Sequence, residues 1–239
     1  MLAEFTKADR ERLGELLYAA YLEHPETVVL PRSEPYTPVF TYLTALYAQA
    51  SNAYRLDAQA VDQWTPARSW PITIIVEEAA ILRGFPGGPL VISTGLLGRL
   101  NREHEIYHLF ALEATLIHEG IMLEELVDQY GLESLELIVS ATDPTVLSVF
   151  QNLAAAYPTL TLAPERLRRA DPLAQSLICR SSLYAPYGLL PLLEKHPEAA
   201  YFDGHPSYAE RAALLKGFSA DCGTLETNGG YASEVLAHL

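Results

Sequence analysis

Residues 104–108 read His104-Glu105-Ile106-Tyr107-His108, an H-E-x-x-H string. On a helix, residues four apart share a face. Two imidazoles at this spacing can therefore ligate one zinc ion while the intervening Glu acts as base on a metal-bound water. The competing reading is a solvated helix face with two incidental histidines, since short motifs arise by chance. The same i, i+4 geometry can also catch a divalent ion weakly and to no purpose. A catalytic zinc needs a third ligand, and the downstream carboxylates Glu119, Glu124, Glu125 and Glu165 include none with a compelling placement. His118-Glu119-Gly120 has no second His four residues on, and Gly120 is expected to end a helix.

The elements that must position these residues are predominantly helical. Thr6 followed by Asp9 is a capping-box pattern, and Leu13, Leu16, Leu17, Ala20 and Tyr21 recur at helical spacing, which predicts a helix over 7–23. A connection punctuated by Pro25, Pro31, Pro35 and Pro38 leads to a second helix over 39–54. The period then changes. Ile72, Ile74 and Val76 alternate in a β-branched run and Leu90 to Ile92 form another, separated by the turn Phe85-Pro86-Gly87-Gly88, so a small hairpin-like sheet is expected. Helices are predicted at 102–119, 121–130, 133–141, 144–156, 165–180, 185–195 and 207–217, with breaks at Gly120, Gly131, Pro144, Pro158 and Gly204. The expected architecture is one mostly helical α+β domain over 1–239. It comprises an N-terminal helix and connection (1–37), a main body (38–217) and a tail (218–239).

Composition narrows the partners. The chain has 239 residues, 49% hydrophobic and 19% charged, enough for one sizeable core. A formal charge of -14 repels phosphate backbones and argues against nucleic acid. No apolar stretch approaches the roughly 18 to 20 residues needed to span a bilayer, so a soluble chain is expected. Residues 1–10 lack the basic-then-apolar layout of a secretory leader, which leaves the cytoplasm open alongside export with a leader missing from this chain. Cys179 and Cys222 can form at most one disulfide and resemble neither a zinc ribbon nor a redox pair. Oligomeric state is not legible.

The segment 85–113, FPGGPLVISTGLLGRLNREHEIYHLFALE, resembles zinc metallopeptidases of the CAAX-prenyl-protease and heat-shock membrane protease type. In that family an Asn-Ala-Phe-x-x-Pro-Gly-Gly turn precedes a short strand ending in Thr-x-Gly-Leu-Leu, and a helix with HExxH in its middle follows. Pro86-Gly87-Gly88 and Thr94-Gly95-Leu96-Leu97 match those pieces. Leu167-Arg168-Arg169-Ala170-Asp171 looks like the family's Glu-x-x-Ala-Asp, and His205-Pro206 followed by Arg211 is similar to its His-Pro-x-x-x-x-Arg. Order and spacing hold from about residue 38 to 217. The resemblance implies a gluzincin-like fold.

Carried across position by position, the family's HExxH falls on Leu112-Glu113-Ala114-Thr115-Leu116 and its third ligand on Leu167. All three metal-ligand positions are leucine, which suggests a metal hole refilled with packed side chains. The literal motif starts eight residues earlier, about 12 Å along the axis and rotated by roughly 80°, so it cannot be the same site slid along the helix. The general base survives as Glu113. Helical spacing places it toward the core, where a buried carboxylate needs a partner, and His205 or Arg211 is expected to serve. A solvent-facing Glu113 is the alternative. The resemblance also suggests an Asp171–Arg211 ion pair and leaves His205 a packing role.

The expected protein is thus a pseudo-peptidase without cofactor, in which Glu113, His205 and Arg211 are vestigial. A binding, regulatory or chaperone-like role would act on a peptide or protein partner through the inherited peptide cleft beside a short strand. The alternative is an active zinc metalloendopeptidase using His104, Glu105 and His108. Membership of a larger assembly would show as a closed cleft and an exposed apolar patch elsewhere.

Overall fold

A computed structural model describes residues 5–53, 70–140, 144–180, 184–185, 188–196, 207–215, 222 and 229–239. It is an α+β structure, mostly helical, around one small sheet. Helix α1 (Lys7–Leu22) starts from a reciprocal cap: Asp9 N–H donates to Thr6 Oγ1 at 3.2 Å and Thr6 N–H donates to Asp9 Oδ2 at 2.9 Å. It buries Leu13, Gly14, Leu17 and Tyr21 on one stripe. Helix α2 (Thr37–Ala53) follows.

The sheet consists of β1 (Ile72–Ile75), β2 (Leu82–Gly84) and β3 (Leu90–Ser93), in the order β1-β3-β2. β1 pairs with β3 in parallel, Ile72 opposite Leu90, and β2 pairs with β3 antiparallel, Leu82 opposite Ile92. The hairpin predicted between the two β-branched runs is therefore corrected. Those runs are parallel neighbours, and the hairpin partner of β3 is β2, whose three residues, one an Arg and one a Gly, carry no strand signature. The turn between them closes through Phe85 N–H to Pro89 C=O at 2.7 Å and Gly88 N–H to Phe85 C=O at 2.9 Å. Gly87 and Gly88 take φ of 86° and 114°, which favours glycine at both. At Gly14, a Cβ would lie 1.5 Å from the Pro86 carbonyl oxygen, so α1 can dock on this turn only without a side chain.

After the short helix α3 (Thr94–Leu97) comes α4 (Glu103–His118), then α5 (Ile121–Tyr130), α6 (Leu132–Ser140), α7 (Pro144–Ala156), a 3-10 turn at Tyr157–Thr159, α8 (Pro164–Arg180), α9 (Leu189–Lys195) and α10 (Tyr208–Leu215). The helix predicted to begin at 185 begins at Leu189, and Tyr184 and Ala185 are not helical. All residues of α4 from His104 to Ile117 are buried, because α2, α5, α8, α9 and β2 enclose it. A helix buried all round is a core element, and α4 is the axle of this fold. Gly120, at φ 68°, ends it and opens α5. Residues 229–239 pack onto the body: Tyr231 and Val235 are fully buried, and Tyr231 Oη donates to Leu97 C=O at 2.7 Å. Cys179 of α8 and Cys222 form a disulfide. No helix among the described residues is long and apolar enough to cross a membrane.

Candidate functional site

The start of α4 is built by its own carboxylates. Glu105, third in the helix, accepts the N–H groups of Asn101 at 2.7 Å and Arg102 at 3.1 Å on Oε2, so it caps the helix. Glu103 accepts the hydroxyls of Tyr42 and Tyr184. Burial and this carboxylate hold both phenols far above their ordinary range.

His104, Glu105 and His108 are 3%, 1% and 0% exposed, so the solvated helix face expected for them is corrected. The motif lies on an inner turn because α9 and the Tyr184–Ala185 stretch cover the N-terminal half of α4. His108 Nε2 lies 2.9 Å from Ala185 C=O. A carbonyl only accepts, so Nε2 carries the proton and is spent as a donor. On the far side Gly188 presses on the ring, since a Cβ there would lie 2.9 Å from His108 Cγ. Burial drives the imidazole down to about 3, which keeps it neutral.

The described residues bring no third ligand to this motif. One imidazole nitrogen of His108, Nε2, is committed to Ala185, and the other, Nδ1, is buried without a hydrogen-bond partner. The carboxylate that would serve as base is a helix cap. Among the described residues no three His, Cys, Asp or Glu side chains converge on a common point.

One turn further along α4, Leu112 and Leu116 are 0% and 1% exposed, and Leu167 of α8 is 0% exposed. All three belong to the same apolar core, on the two helices that pack most extensively against each other. Glu113 is also fully buried but points to the sheet. Its Oε2 accepts Gly84 N–H at 2.7 Å, and its Oε1 lies 3.9 Å from Arg83 Nη1. Glu113 thus has partners that sequence spacing did not point to. Arg83 and the Gly84 amide take that role, because the Glu113 face of α4 meets β2, while Arg211 of α10 pairs with Asp171 of α8. His205 lies outside the described residues.

Around Gly84 the strand edge is closed from within. Tyr157 Oη donates to Gly84 C=O at 2.9 Å, and Arg83 Nη2 donates to Leu160 C=O at 2.8 Å. A Cβ on Gly84 would lie 2.4 Å from Ile117 Cδ1, so glycine lets β2 reach Glu113. Arg83, Gly84 and Tyr157 escaped sequence reasoning, since nothing local marks a three-residue strand whose partners lie 29 and 73 positions away.

On the other side of α4, Arg211 of α10 hydrogen-bonds Asp171 Oδ1 of α8, and both side chains are 3–4% exposed. Burial lifts the Asp171 carboxyl to about 6 while Arg211 opposes the rise. Arg211 also helps to keep His108 uncharged. The chain thus brings His108, Asp171 and Arg211 to one side of α4 and Glu113, Arg83 and Gly84 to the other, with the leucines in the core. No family model matches this chain, and no curated protein matches it either.

Proposed function

We propose that this chain is a noncatalytic, metallopeptidase-like protein that works by binding a partner. One observation carries the reading: both carboxylates along α4 that could act as base are buried and engaged inside the fold, Glu105 at its helix cap and Glu113 with Gly84 and Arg83, and His108 beside them is buried with Nε2 held by Ala185. A base must reach the proton that it abstracts, and Glu105 and Glu113 are each held by backbone amides away from solvent. The peptide capacity implied by the family resemblance falls on a surface other than the β2 edge, where Gly84 N–H and C=O are already occupied. The Cys179–Cys222 disulfide favours work in an oxidising compartment.

The test is zinc per chain by elemental analysis, on protein purified without chelator, for the native sequence, His104→Ala/His108→Ala and Glu105→Gln, with hydrolysis of unfolded casein assayed in parallel. The expected result is no stoichiometric zinc and no chelator-sensitive hydrolysis in any of the three. Near-stoichiometric zinc that the double substitution removes, with hydrolysis that Glu105→Gln abolishes, would overturn the proposal.

A further inference from the structure

Residues 28–30 add an extended segment to the outer side of β1. Val76 N–H donates to Val28 C=O at 2.8 Å, Leu30 N–H donates to Ile74 C=O at 2.8 Å, and Val29 stands opposite Ile75 in antiparallel register. In such a pair the flanking residues turn their backbone groups inward and the middle residue turns its own outward. Val29 N–H and C=O accordingly have no hydrogen-bond partner among the described residues. An edge of this kind is a template for one more strand. Val28, Val29 and Val76 are 57%, 42% and 51% exposed, an apolar patch where an edge is ordinarily blunted by charge. Beside Val28 and Val76 runs a groove of about 270 Å³ floored by Ile81 and Ala155, with the exposed carboxylates of Glu26 and Glu77 on its walls. Neither carboxylate has a cationic partner among the described residues.

We infer that this edge and groove bind an extended peptide in which β-branched residues alternate with Lys or Arg. The strand supplies backbone pairing at Val29, the groove takes one apolar side chain, and Glu26 and Glu77 receive the cations. A second copy of the chain is the weaker occupant. It would set Glu26, Glu77 and a net charge of -14 against their equals. The inference rests on the binding reading above and gives it a site.

The probe is a fluorescein-labelled Lys-Val-Lys-Val-Lys-Val peptide, titrated with the full chain by fluorescence anisotropy and recovered for mass analysis. Binding is expected to weaken with salt. It is expected to fall at least about tenfold with Glu26→Lys/Glu77→Lys, whose exposed positions leave the fold unchanged by circular dichroism, and likewise with a probe N-methylated at alternate residues. Val29 amide exchange is expected to slow in the complex. Equal affinity for the methylated probe would overturn strand addition. A concentration-dependent dimer abolished by Val29→Pro would hand the edge to a second copy and overturn the peptide assignment. Intact but unbound probe defeats this inference alone, whereas cleaved probe defeats the noncatalytic reading.

Discussion

Arg83 and Glu113 face each other across the contact between β2 and α4, Nη1 to Oε1 at 3.9 Å, with both side chains almost wholly buried. Glu113 also holds the Gly84 amide, so it ties the shortest strand of the sheet to the central helix. Its role is positional. A carboxylate with an arginine and an amide on its two oxygens is no free base.

Removing one member of a buried pair leaves the other uncompensated, which costs about 3–5 kcal/mol. Glu113→Leu is expected to lower stability by that amount. Arg83→Met/Glu113→Leu is expected to recover about 2 kcal/mol of the loss, the remainder reflecting the Gly84 amide left without an acceptor. Urea unfolding of the three proteins checks this, and a double variant no better than the single one would refute the pairing.

Gly14→Ala would place a methyl group 1.5 Å from the Pro86 carbonyl, backbone against backbone, with no flexible side chain to yield. Loss of about 3 kcal/mol or more is expected. Gly98→Ala is the control. Its Cβ would lie 3.4 Å from the nearest atom and its φ is -67°, so a change within about 0.5 kcal/mol is expected. Thermal melts separate the two.

Acid should weaken the fold through its buried histidines. Burial holds His108 down to about 3 and His118 to about 4, while the unfolded chain protonates both near 6.5. Between pH 6 and 4 the unfolded state therefore binds more protons at each His, and stability falls as pH falls. Asp171, lifted to about 6 from 3.8, acts in the opposite sense over the same window, because its folded form takes up the proton first. These three groups together leave a slope of about 1.4 kcal/mol per pH unit, destabilising toward acid. His108→Gln, which keeps a donor for Ala185, is expected to remove most of that slope in urea titrations at several pH values.

The disulfide joins positions 43 residues apart. Closing a loop of that size restricts the unfolded chain by about 4 kcal/mol at room temperature. Cys179→Ser/Cys222→Ser, or reduction of the native chain, is expected to lower unfolding free energy by roughly that amount, read by chemical denaturation with and without reductant.

Much of the architecture is legible in the residues themselves. The Thr6–Asp9 cap, the apolar spacing of α1 and the glycine stops at 120 and 131 are local signals, and helices follow local signals because their hydrogen bonds close within four residues. The burial of Leu112, Leu116 and Leu167 also follows from residue type. Strand pairing does not. β3 accepts β1 on one side and β2 on the other across intervening chain, and nothing in the spacing of Ile72–Ile75 and Leu90–Ser93 says whether the two run parallel.

The polar groups divide in the same way. Sequence determined that Glu105, His108 and Glu113 share a helix and that a buried carboxylate would need a partner. Tertiary structure alone decided that Glu105 caps that helix, that Ala185 C=O accepts the His108 Nε2–H and that Arg83, 30 residues before Glu113, supplies the countercharge. Burial is a property of residue type summed over a face, whereas a partner is a single atom whose arrival depends on how distant segments pack.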